Sequence, residues 1–422
     1  MKRPQNNNLN AWLEYVEQKS PLEDCNNSYL KSFYPTLGFN NLDSFVITVS
    51  GTNGKGSTVG LLEQIFIENG YSVCSNTSPH LIKYNERIKY NGSPVQDNDI
   101  SQAFDLIEQT YGANDLLRYS HYAFLAALVI FSKLKPDVMI LEVGLGGRLD
   151  PANTIDADIS VITSIGLDHI QILGDTREKI ANEKVAIARR HKPLIVAEED
   201  VPNSLATYVK QNNVNAKFIN RDFFIKESNG AMVYRSVNQT LSFKNNALLH
   251  KHTISAALAI LEEMPANFSF NYNKAKAIIE RFNIPGRRHI IPSKHGKIIL
   301  DVSHNLPAIV ELFEYINNLK IQGKLYVMYG SMSNKDIEGI YKHVDRWIDQ
   351  WHLISLVELE QRGASVSCLE KIFGKGSKVY YHHSANEIFE QLSVQMKEDD
   401  CLLVFGSFIL IGDILKNYGK TH

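Results

Sequence analysis

Short apolar runs rich in β-branched residues alternate with helix-like segments along almost the whole chain, and this alternation restricts the fold more than any other feature. The runs predict strands at residues 45–49, 71–75, 137–143, 159–165, 193–197, 297–302, 324–330, 352–356, 377–381 and 400–405. The segments between them predict helices at 59–69, 99–110, 121–134, 177–190, 253–263, 274–282, 306–318, 336–347, 384–396 and 408–417. Strands that alternate with helices build mostly parallel sheets, so the predicted fold class is α/β.

Two features of the pattern suggest how the chain is divided. Residues 217–243 read as β-hairpins with a turn at 228–230, and we expect them to decorate the first domain. The turn-forming pair Pro285-Gly286 separates a predicted helix from a new series of β-α units. The sequence therefore predicts an N-terminal P-loop-type domain with helices on both faces of its sheet, residues 1–286, and a smaller Rossmann-like domain, residues 287–422.

Composition argues against several classes of protein. A formal charge of −2 lacks the electrostatic footprint of a protein that binds nucleic acid or a membrane surface. The cysteines at positions 25, 74, 368 and 401 lie too far apart for a metal or redox motif, which favours a reducing compartment. The longest apolar run, 123–131, is shorter than the ~20 residues of a membrane helix, and the start lacks the apolar stretch of a signal peptide. We expect a cytoplasmic protein, and a monomer because no heptad or apolar stripe indicates a partner.

A glycine-rich loop lies between the first strand and its helix. It consists of Gly51, Thr52, Asn53, Gly54, Lys55, Gly56 and Ser57. Glycines let backbone N–H groups approach phosphate at the positive end of a helix, Lys55 supplies charge, and the Ser57 hydroxyl can ligate Mg²⁺. The spacing differs from the common G-x-x-x-x-G-K-[ST] pattern, and an ordinary tight turn with a solvated lysine is the alternative. The position between a buried strand and an amphipathic helix favours phosphate binding.

Three polar residues stand just beyond other predicted strands, where α/β sheets place their ligand chemistry: Ser78, Glu142 and His169. They could converge near the loop as a modest metal set, with phosphates supplying further ligands, as is normal for Mg²⁺. Taken alone, His169 also reads as a hydrogen-bonded core or loop histidine, and Glu142 as a capping or solvated carboxylate.

The loop is similar to the G-T-N-G-K-G-[ST] loop of the folylpolyglutamate synthase and dihydrofolate synthase family, within the Mur ligase superfamily. Further blocks follow in the family's order: TSPHL (77–81), YNERI (84–88), LEVGLGGRLD (141–150), TSI (163–165), LDH (167–169), EK (183–184), PGR (285–287), DVSHN (301–305) and GSF (406–408). The match runs from about residue 45 to 410, and the central block is too long to be chance. The chain is identified as a member of this family, similar to its bacterial bifunctional type.

The resemblance implies a set of site residues. Residues matching Ser57, Ser78, Glu142 and His169 bind Mg²⁺ in the family. Lys184, which the local pattern alone would make a surface lysine, matches a lysine that is often carbamylated and then binds a second Mg²⁺. The neighbouring Val185 and Ala186 replace the family's usual Ala-Gly. The resemblance also assigns ATP binding to Arg287 and Asp301 across the domain cleft, with His304 nearby, and to Thr253, where relatives carry an asparagine.

The implied reaction is ATP-dependent amide ligation. A substrate carboxylate attacks the γ-phosphate of ATP and forms an acyl phosphate, and the α-amine of L-glutamate then displaces phosphate. Lys55, Arg287 and two Mg²⁺ ions would stabilise the transferring group, while His169 or His304 positions reacting groups. A monovalent cation such as K⁺ is a further candidate cofactor. The implied acceptors are dihydropteroate and the glutamate tail of folates.

Departures from the family concentrate on the acceptor side. Ser120 and His121 stand where relatives place a Phe-Glu pair, Phe124 replaces a common threonine, and residues 24–29 lack the glycine and arginine of a pterin-contacting segment. Two alternatives therefore stay open: a Mur-type ligase with a different carboxylate acceptor, and a nucleotide-binding relative without catalysis. The intact Lys55, Ser57, Glu142, His169 and Lys184 argue against the second.

Overall fold

The structure is a computed structural model and describes residues 3–4, 8–19, 27–39, 43–111, 117–228, 230–245 and 248–421. The chain forms two compact units. Unit 1 contains residues 1–80 and 84–282, and unit 2 contains residues 81–83 and 283–422.

The centre of unit 1 is an eight-stranded sheet with the order β4-β3-β2-β5-β1-β6-β7-β8. Its strands are β1 (Phe45–Ser50), β2 (Val73–Asn76), β3 (Ile88–Tyr90), β4 (Ser93–Pro94), β5 (Val138–Glu142), β6 (Ile159–Ile162), β7 (Pro193–Val196) and β8 (Asn215–Phe218). Pairs from β2 to β8 are parallel, and the β2–β3 and β3–β4 pairs are antiparallel. The central strands are apolar because both of their faces are covered, as in other parallel sheets.

Helices cover this sheet. They are α1 (Leu9–Glu17), α2 (Asn27–Lys31), α3 (Tyr34–Leu37), α4 (Lys55–Glu68), α5 (Asp97–Tyr111), α6 (Tyr119–Leu134), α7 (Ile170–Leu173), α8 (Arg177–Val185), α9 (Asn203–Gln211), α10 (Lys251–Glu263) and α11 (Tyr272–Arg281). Helices α1, α5 and α6 share one core with Val46, Met139 and Ile162. Helix α4 packs against β1, β2 and β5 and also contacts α10 and α11. Alternate residues of each strand therefore serve different helix groups.

A second, smaller sheet in unit 1 corresponds to the predicted hairpins. It is antiparallel, with the order β11-β10-β9, and contains β9 (Phe223–Ser228), β10 (Ala231–Ser236) and β11 (Thr240–Lys244). Residues 217 and 218, which we assigned to the hairpins, instead belong to β8, because they continue the parallel ladder from β7. The predicted turn at 228–230 includes Asn229, which lies outside the described residues.

Unit 2 is built on a six-stranded sheet with the order β12-β13-β17-β14-β15-β16, in which only the β12–β13 pair is antiparallel. Its strands are β12 (His289–Ile291), β13 (Lys297–Asp301), β14 (Leu325–Tyr329), β15 (Gln350–Ile354), β16 (Val379–His382) and β17 (Cys401–Phe405). Its helices are α12 (Leu306–Asn318), α13 (Ile337–Val344), α14 (Val366–Phe373), α15 (Ala385–Gln395) and α16 (Phe408–Thr421). The predicted α/β class, with a large mostly parallel sheet and a second α/β sheet, is confirmed.

In two of the predicted elements that end early, side chains take over backbone hydrogen bonds. The strand predicted at 159–165 ends at Ile162, because the next residues bond to the glycine-rich loop described below. The helix predicted at 177–190 ends at Val185. There the Arg189 guanidinium donates to the carbonyl oxygens of Ala186, Ile187 and Ala188, which satisfies groups that a longer helix would have paired.

Several short elements were not predicted, among them α1 to α3, α7, α9, β3, β4, β12 and α14. Most span one or two turns or two to four strand residues, too few for periodicity to identify. Within the described ranges, no helix combines the length and apolar character needed to cross a bilayer.

Candidate active site

The glycine-rich loop leaves the carboxyl end of β1 and enters α4, whose first residue is Lys55 rather than the predicted residue 59. Gly51 and Gly54 have φ angles of +153° and +81°, a region that other residues rarely adopt. A Cβ atom at Gly51 would lie 1.9 Å from the Oγ1 of Thr163. Glycine is therefore required at position 51 both for backbone conformation and for the approach of the next strand's loop.

The loop is held by the segment that follows β6. Thr52 N donates to Ser164 O at 2.9 Å, and Asn53 N donates to Ser164 Oγ at 2.9 Å. Thr163 Oγ1 donates to Asn53 O at 2.6 Å, and Thr52 Oγ1 accepts from Gly166 N at 3.0 Å. The hydrogen bonds from residues 163–166 therefore set the conformation of the loop.

Two lysine amines meet at one carbonyl of this loop. Lys55 Nζ donates to Gly51 O at 3.1 Å and to Thr52 O at 3.3 Å, and Lys184 Nζ donates to the same Gly51 O at 2.9 Å. Lys184 is only 4% exposed. Burial, and secondly the charge of Lys55, lower the pKa of Lys184 to about 7. Much of this amine is therefore neutral near physiological pH.

The block at 141–150 places Lys184 beside the loop. A Cβ atom at Gly147 would lie 2.6 Å from Glu183 O and 3.1 Å from Lys184 Cα, so only glycine permits this approach to the end of α8. Asp150 folds the block on itself by accepting from the N–H groups of Gly144, Leu145 and Ala152. Burial raises the pKa of Asp150 against the effect of these donors. We did not predict either role, although the adjacent glycines were a visible signal.

Glu142 and Ser78 also come together at this edge. Glu142, at the end of β5, is 6% exposed, and its Oε2 accepts from Ser78 N at 3.1 Å. A Cβ atom at Gly56 would lie 3.5 Å from the same Oε2, so the carboxylate faces the first turn of α4, which also carries Ser57. The structure thus brings Ser78, Glu142 and the start of α4 together as predicted from the strand ends.

His169 lies in the segment between β6 and α7 and has a left-handed backbone, with φ +50°. Its side chain is 42% exposed, and its Nε2 lies 4.0 Å from Asp168 Oδ2. Among the described residues, His, Cys, Asp and Glu side chains form no group of three or more able to hold a metal ion by themselves. A set dominated by Glu142 and hydroxyl oxygens suits Mg²⁺, which keeps water and phosphate oxygens among its ligands.

Thr253 approaches the loop from α10. It is 2% exposed, and its Oγ1 would lie 3.6 Å from a Cβ atom at Gly54. In unit 1 the structure therefore gathers most of the predicted residues around one loop, at the carboxyl edge of the sheet.

The remaining predicted residues belong to unit 2. The Arg287 guanidinium lies 5.1 Å from the centre of the Phe408 ring, within cation–π range. Asp301, 4% exposed, accepts from Arg288 N at 2.7 Å and from Ser303 N at 2.8 Å. His304 Nδ1 donates to Val302 O at 3.0 Å, which leaves Nε2 as the unprotonated nitrogen of the neutral ring.

The departures on the acceptor side have a partial explanation. His121 is 6% exposed, and its Nδ1 accepts from Arg118 N at 3.1 Å, so the residue caps α6. Phe124 is part of the apolar core. Residues 24–26 lie outside the described residues, but Asn27 Nδ2 donates to Arg148 O at 3.1 Å.

Two family models match the chain: the Mur ligase middle domain at residues 49–259, and the Mur ligase, glutamate ligase domain at residues 286–408. A dihydrofolate synthase/folylpolyglutamate synthase of Buchnera aphidicola subsp. Schizaphis graminum is 33% identical over 407 residues, which are 96% of this chain and 96% of that protein.

Solved structures agree with these matches. Escherichia coli FolC in complex with DHPP and ADP has a TM-score of 0.90 at 30% identity, with 98% of each chain covered. The bifunctional folylpolyglutamate synthase/dihydrofolate synthase of Yersinia pestis, complexed with AMPPNP and Mn ion, has a TM-score of 0.91 at 30% identity, with 99% of this chain and 100% of that chain covered. The chain therefore belongs to the Mur ligases and, among them, to the dihydrofolate synthase/folylpolyglutamate synthase family.

Proposed function

We propose that this protein is an ATP-dependent ligase that joins L-glutamate to dihydropteroate and to the glutamate tail of folates. The observation that carries the proposal is the meeting of Lys55 and Lys184 at the Gly51 carbonyl, at the carboxyl edge of a parallel sheet. The Lys55 amine at this glycine-rich turn provides positive charge for phosphoryl transfer, and the buried Lys184 amine lies beside it. The relatives that cover almost the whole chain are named for this reaction.

Each loop residue has a role in this proposal. Backbone N–H groups at the turn, from Gly54 to Gly56, face the phosphates at the N-terminus of α4. Lys55 moves its amine from the loop carbonyls to the transferring phosphoryl group. Thr52, Asn53 and Thr253 fix the walls of the nucleotide site. Lowering the charge on the γ-phosphate lets the acceptor carboxylate attack and form the acyl phosphate, which the α-amine of glutamate then displaces.

Ser57, Ser78, Glu142 and His169 would hold Mg²⁺ together with the phosphates. When bound, Mg²⁺ supplies charge neutralisation on the phosphate oxygens. The buried Glu142 carboxylate fits this role, because it lies beside Ser78 and faces the first turn of α4, which carries Ser57, and Mg²⁺ prefers oxygen ligands of this kind. A second Mg²⁺, and K⁺ as a further cation, remain proposals from the sequence.

We also propose that Lys184 is carbamylated. Carbamylation requires the neutral amine, and the pKa of about 7 makes that form abundant. It gives the site an anion that attracts Lys55, in place of an amine whose protonated form repels Lys55, so the buried pair becomes more favourable. A ¹³C NMR signal of a carbamate in the intact protein equilibrated with ¹³C-labelled bicarbonate tests the proposal, and the same spectrum for the parent protein and Lys184→Arg contradicts it.

In unit 2 we propose that Arg287 binds phosphate and that Asp301 and His304 border the nucleotide and glutamate. Because the Asp301 oxygens already accept backbone N–H groups, this residue would act mainly by shaping its turn. The functional boundary that we propose remains 286/287, between an ATP-binding domain and a Rossmann-like domain. The further proposals from the sequence are that the enzyme acts as a monomer and in the cytoplasm.

The reaction can be tested by following ADP release with Mg-ATP and L-glutamate, with dihydropteroate and tetrahydrofolate offered in separate reactions. We expect release in both, and none when glutamate is omitted. Release with only one acceptor would restrict the enzyme to that step. ATP binding without release in either reaction would contradict the proposal and favour an acceptor outside the folates or a protein without catalysis.

A further inference from the structure

Three consecutive acidic residues follow β7 at the carboxyl edge of the sheet in unit 1: Glu198, Glu199 and Asp200. We call them the acidic segment. They make contacts with different elements around the glycine-rich loop, although the family resemblance and the strand pattern gave them no role.

Glu198 binds residues 163–166, the segment that sets the conformation of the glycine-rich loop. Its Oε2 accepts from Ile165 N at 2.7 Å, and its Oε1 lies 3.2 Å from Arg177 NH2. Arg177 Nε in turn donates to Ile165 O at 2.9 Å. The ion pair therefore holds both polar backbone groups of Ile165, and the Glu198 side chain is only 14% exposed. Ile165 directly follows Ser164, which receives the N–H groups of Thr52 and Asn53.

The ion pair of Glu198 and Arg177 is also connected to the buried Lys184, because Arg177 and Lys184 belong to the same helix, α8. Arg177 is the first residue of that helix, and its guanidinium also donates to the side-chain carboxylate and to the backbone carbonyl oxygen of Asp200. Lys184 lies two turns further along α8 and donates to Gly51 O. The position of the helix start therefore helps to set where the Lys184 amine meets the loop.

Glu199 extends the arrangement to α10. Its Oε1 lies 2.7 Å from Lys251 Nζ and 2.9 Å from His252 Nε2, the two residues that precede Thr253. These two partners lower the pKa of Glu199 to about 2, so its carboxylate is charged at neutral pH.

We propose that the acidic segment is a positioning element for the ATP site. Glu198 acts through Ile165 and residues 163–166, and Glu199 acts through the start of α10; neither is placed in contact with the nucleotide. The inference rests on the proposed function, since it assumes that the glycine-rich loop binds ATP. Its consequence is that changes in the acidic segment weaken nucleotide binding more than their effect on stability would explain.

The protein contains a matched control at the opposite edge of the same sheet. Asp158 Oδ2 accepts from Val46 N at 2.9 Å, and its Oδ1 accepts from Lys192 Nζ at 2.9 Å. This carboxylate makes the same kinds of bond as Glu198, to a backbone N–H and to a basic side chain. It lies at the amino ends of β1 and β6, whereas the glycine-rich loop leaves the carboxyl end of β1.

The experiment compares full-length parent protein with Glu198→Ala, Glu198→Gln and Asp158→Ala. The dissociation constant of Mg-ADP, the KM for ATP, kcat and the thermal midpoint are measured for each. We expect Glu198→Ala to weaken Mg-ADP binding and raise the KM for ATP by about tenfold. Glu198→Gln, which retains an acceptor for Ile165 N, should recover most of this loss. Asp158→Ala should lower the thermal midpoint while its nucleotide binding stays within about twofold of the parent.

Equal nucleotide affinity in Glu198→Ala and the parent would overturn the inference, and so would an equal loss in Asp158→Ala. If Glu198→Ala does not fold, Glu199→Gln decides, with an expected loss of about threefold in Mg-ADP affinity and none if the inference is wrong. A parent protein that binds no Mg-ADP would instead overturn the proposed function itself, which separates the two failures.

Discussion

Both units end a buried parallel strand in a polar turn, but the two turns use their polar groups in opposite ways. In unit 1 the loop after β1 is held from outside, by the backbone and hydroxyl groups of Thr163 and Ser164. In unit 2 the turn after β13 is held by the last residue of the strand, because Asp301 accepts from the backbone N–H groups of Ser303, within the turn, and of Arg288, just before β12. The first arrangement leaves the Lys55 amine on weakly competing carbonyls, from which a phosphate can take it.

The difference shows that position at the carboxyl edge of a sheet does not by itself indicate a ligand. Asp301 and Glu142 both end buried strands and are similarly buried. Each Asp301 oxygen accepts a backbone N–H group, from Arg288 or from Ser303, whereas Glu142 Oε2 accepts from Ser78 N and also faces the start of α4. Substitution of the Lys55 side chain in the unit 1 loop should therefore reduce activity with little loss of stability, and substitutions at Asp301 should do the reverse.

The largest effect should come from Lys55→Met. The Lys55 amine donates to carbonyls of a loop that residues 163–166 also hold in place, so the free energy of unfolding should change little. Loss of a cation at the transferring phosphoryl group should lower kcat for ADP release by about 10²–10³-fold. The rate of ADP release tests the predicted loss of kcat, and denaturant unfolding of the same preparation tests the unchanged free energy of unfolding. The matched change Lys192→Met, at an exposed ion pair, should leave kcat near the parent value.

Asp301→Ala should show the opposite balance. It leaves the N–H groups of Arg288 and Ser303 without their acceptor inside the protein, which should destabilise unit 2 by about 2–4 kcal/mol. Hydrogen exchange should accelerate at β13 and the start of α12 and not at β1. Asp336→Ala, which removes a single helix-capping acceptor for Gly339 N, should cost only about 1 kcal/mol. An Asp301 variant that loses activity at unchanged stability would show that its carboxylate contacts substrate directly.

A smaller effect is expected from Gly147→Ala. The added carbon would lie 2.6 Å from Glu183 O, a backbone atom that cannot move without shifting the end of α8 and Lys184. Overpacking of this kind should cost about 1–3 kcal/mol, and the KM for ATP should rise with it. At Gly376, where the nearest atom to an added carbon is at 3.9 Å, alanine should change neither quantity. Unchanged KM in Gly147→Ala would mean that this contact does not set the position of Lys184.

The sequence was most informative where one segment determines its own structure. The strand–loop–helix pattern was enough to predict β1, the glycine turn and α4, and the strand ends correctly brought Ser78 and Glu142 to one edge. It could not predict that Ile165 would leave the strand ladder, because its partners Glu198 and Arg177 lie 33 and 12 residues away.

Local pattern was also misleading about Lys184. A lysine on a polar helix normally faces water, yet this one is buried because Gly147 allows another segment to cover it. The family resemblance, and not the local pattern, assigned Asp301 to ATP, and no sequence pattern showed that its oxygens accept the backbone N–H groups of Arg288 and Ser303. Contacts between residues that are far apart in the chain leave no periodic pattern in the sequence, so periodicity cannot predict them.

The stability of unit 2 should decrease in acid because of a pair of histidines, His352 and His382. His352 Nδ1 lies 3.1 Å from His382 Nε2, and His352 Nε2 is buried with no hydrogen-bond partner among the described residues. Burial, and secondly His382, lower the pKa of His352 to about 4, so the unfolded chain binds this proton more tightly than the folded one. Stability should be complete above about pH 6.5 and decline as pH falls toward about 4, by about 1–2 kcal/mol near pH 5.

His352→Phe keeps a ring against Tyr380 and should flatten this decline in denaturant unfolding of unit 2, whereas a change at the exposed His295 should not. The same slope in His352→Phe and the parent would assign the acid sensitivity to other groups.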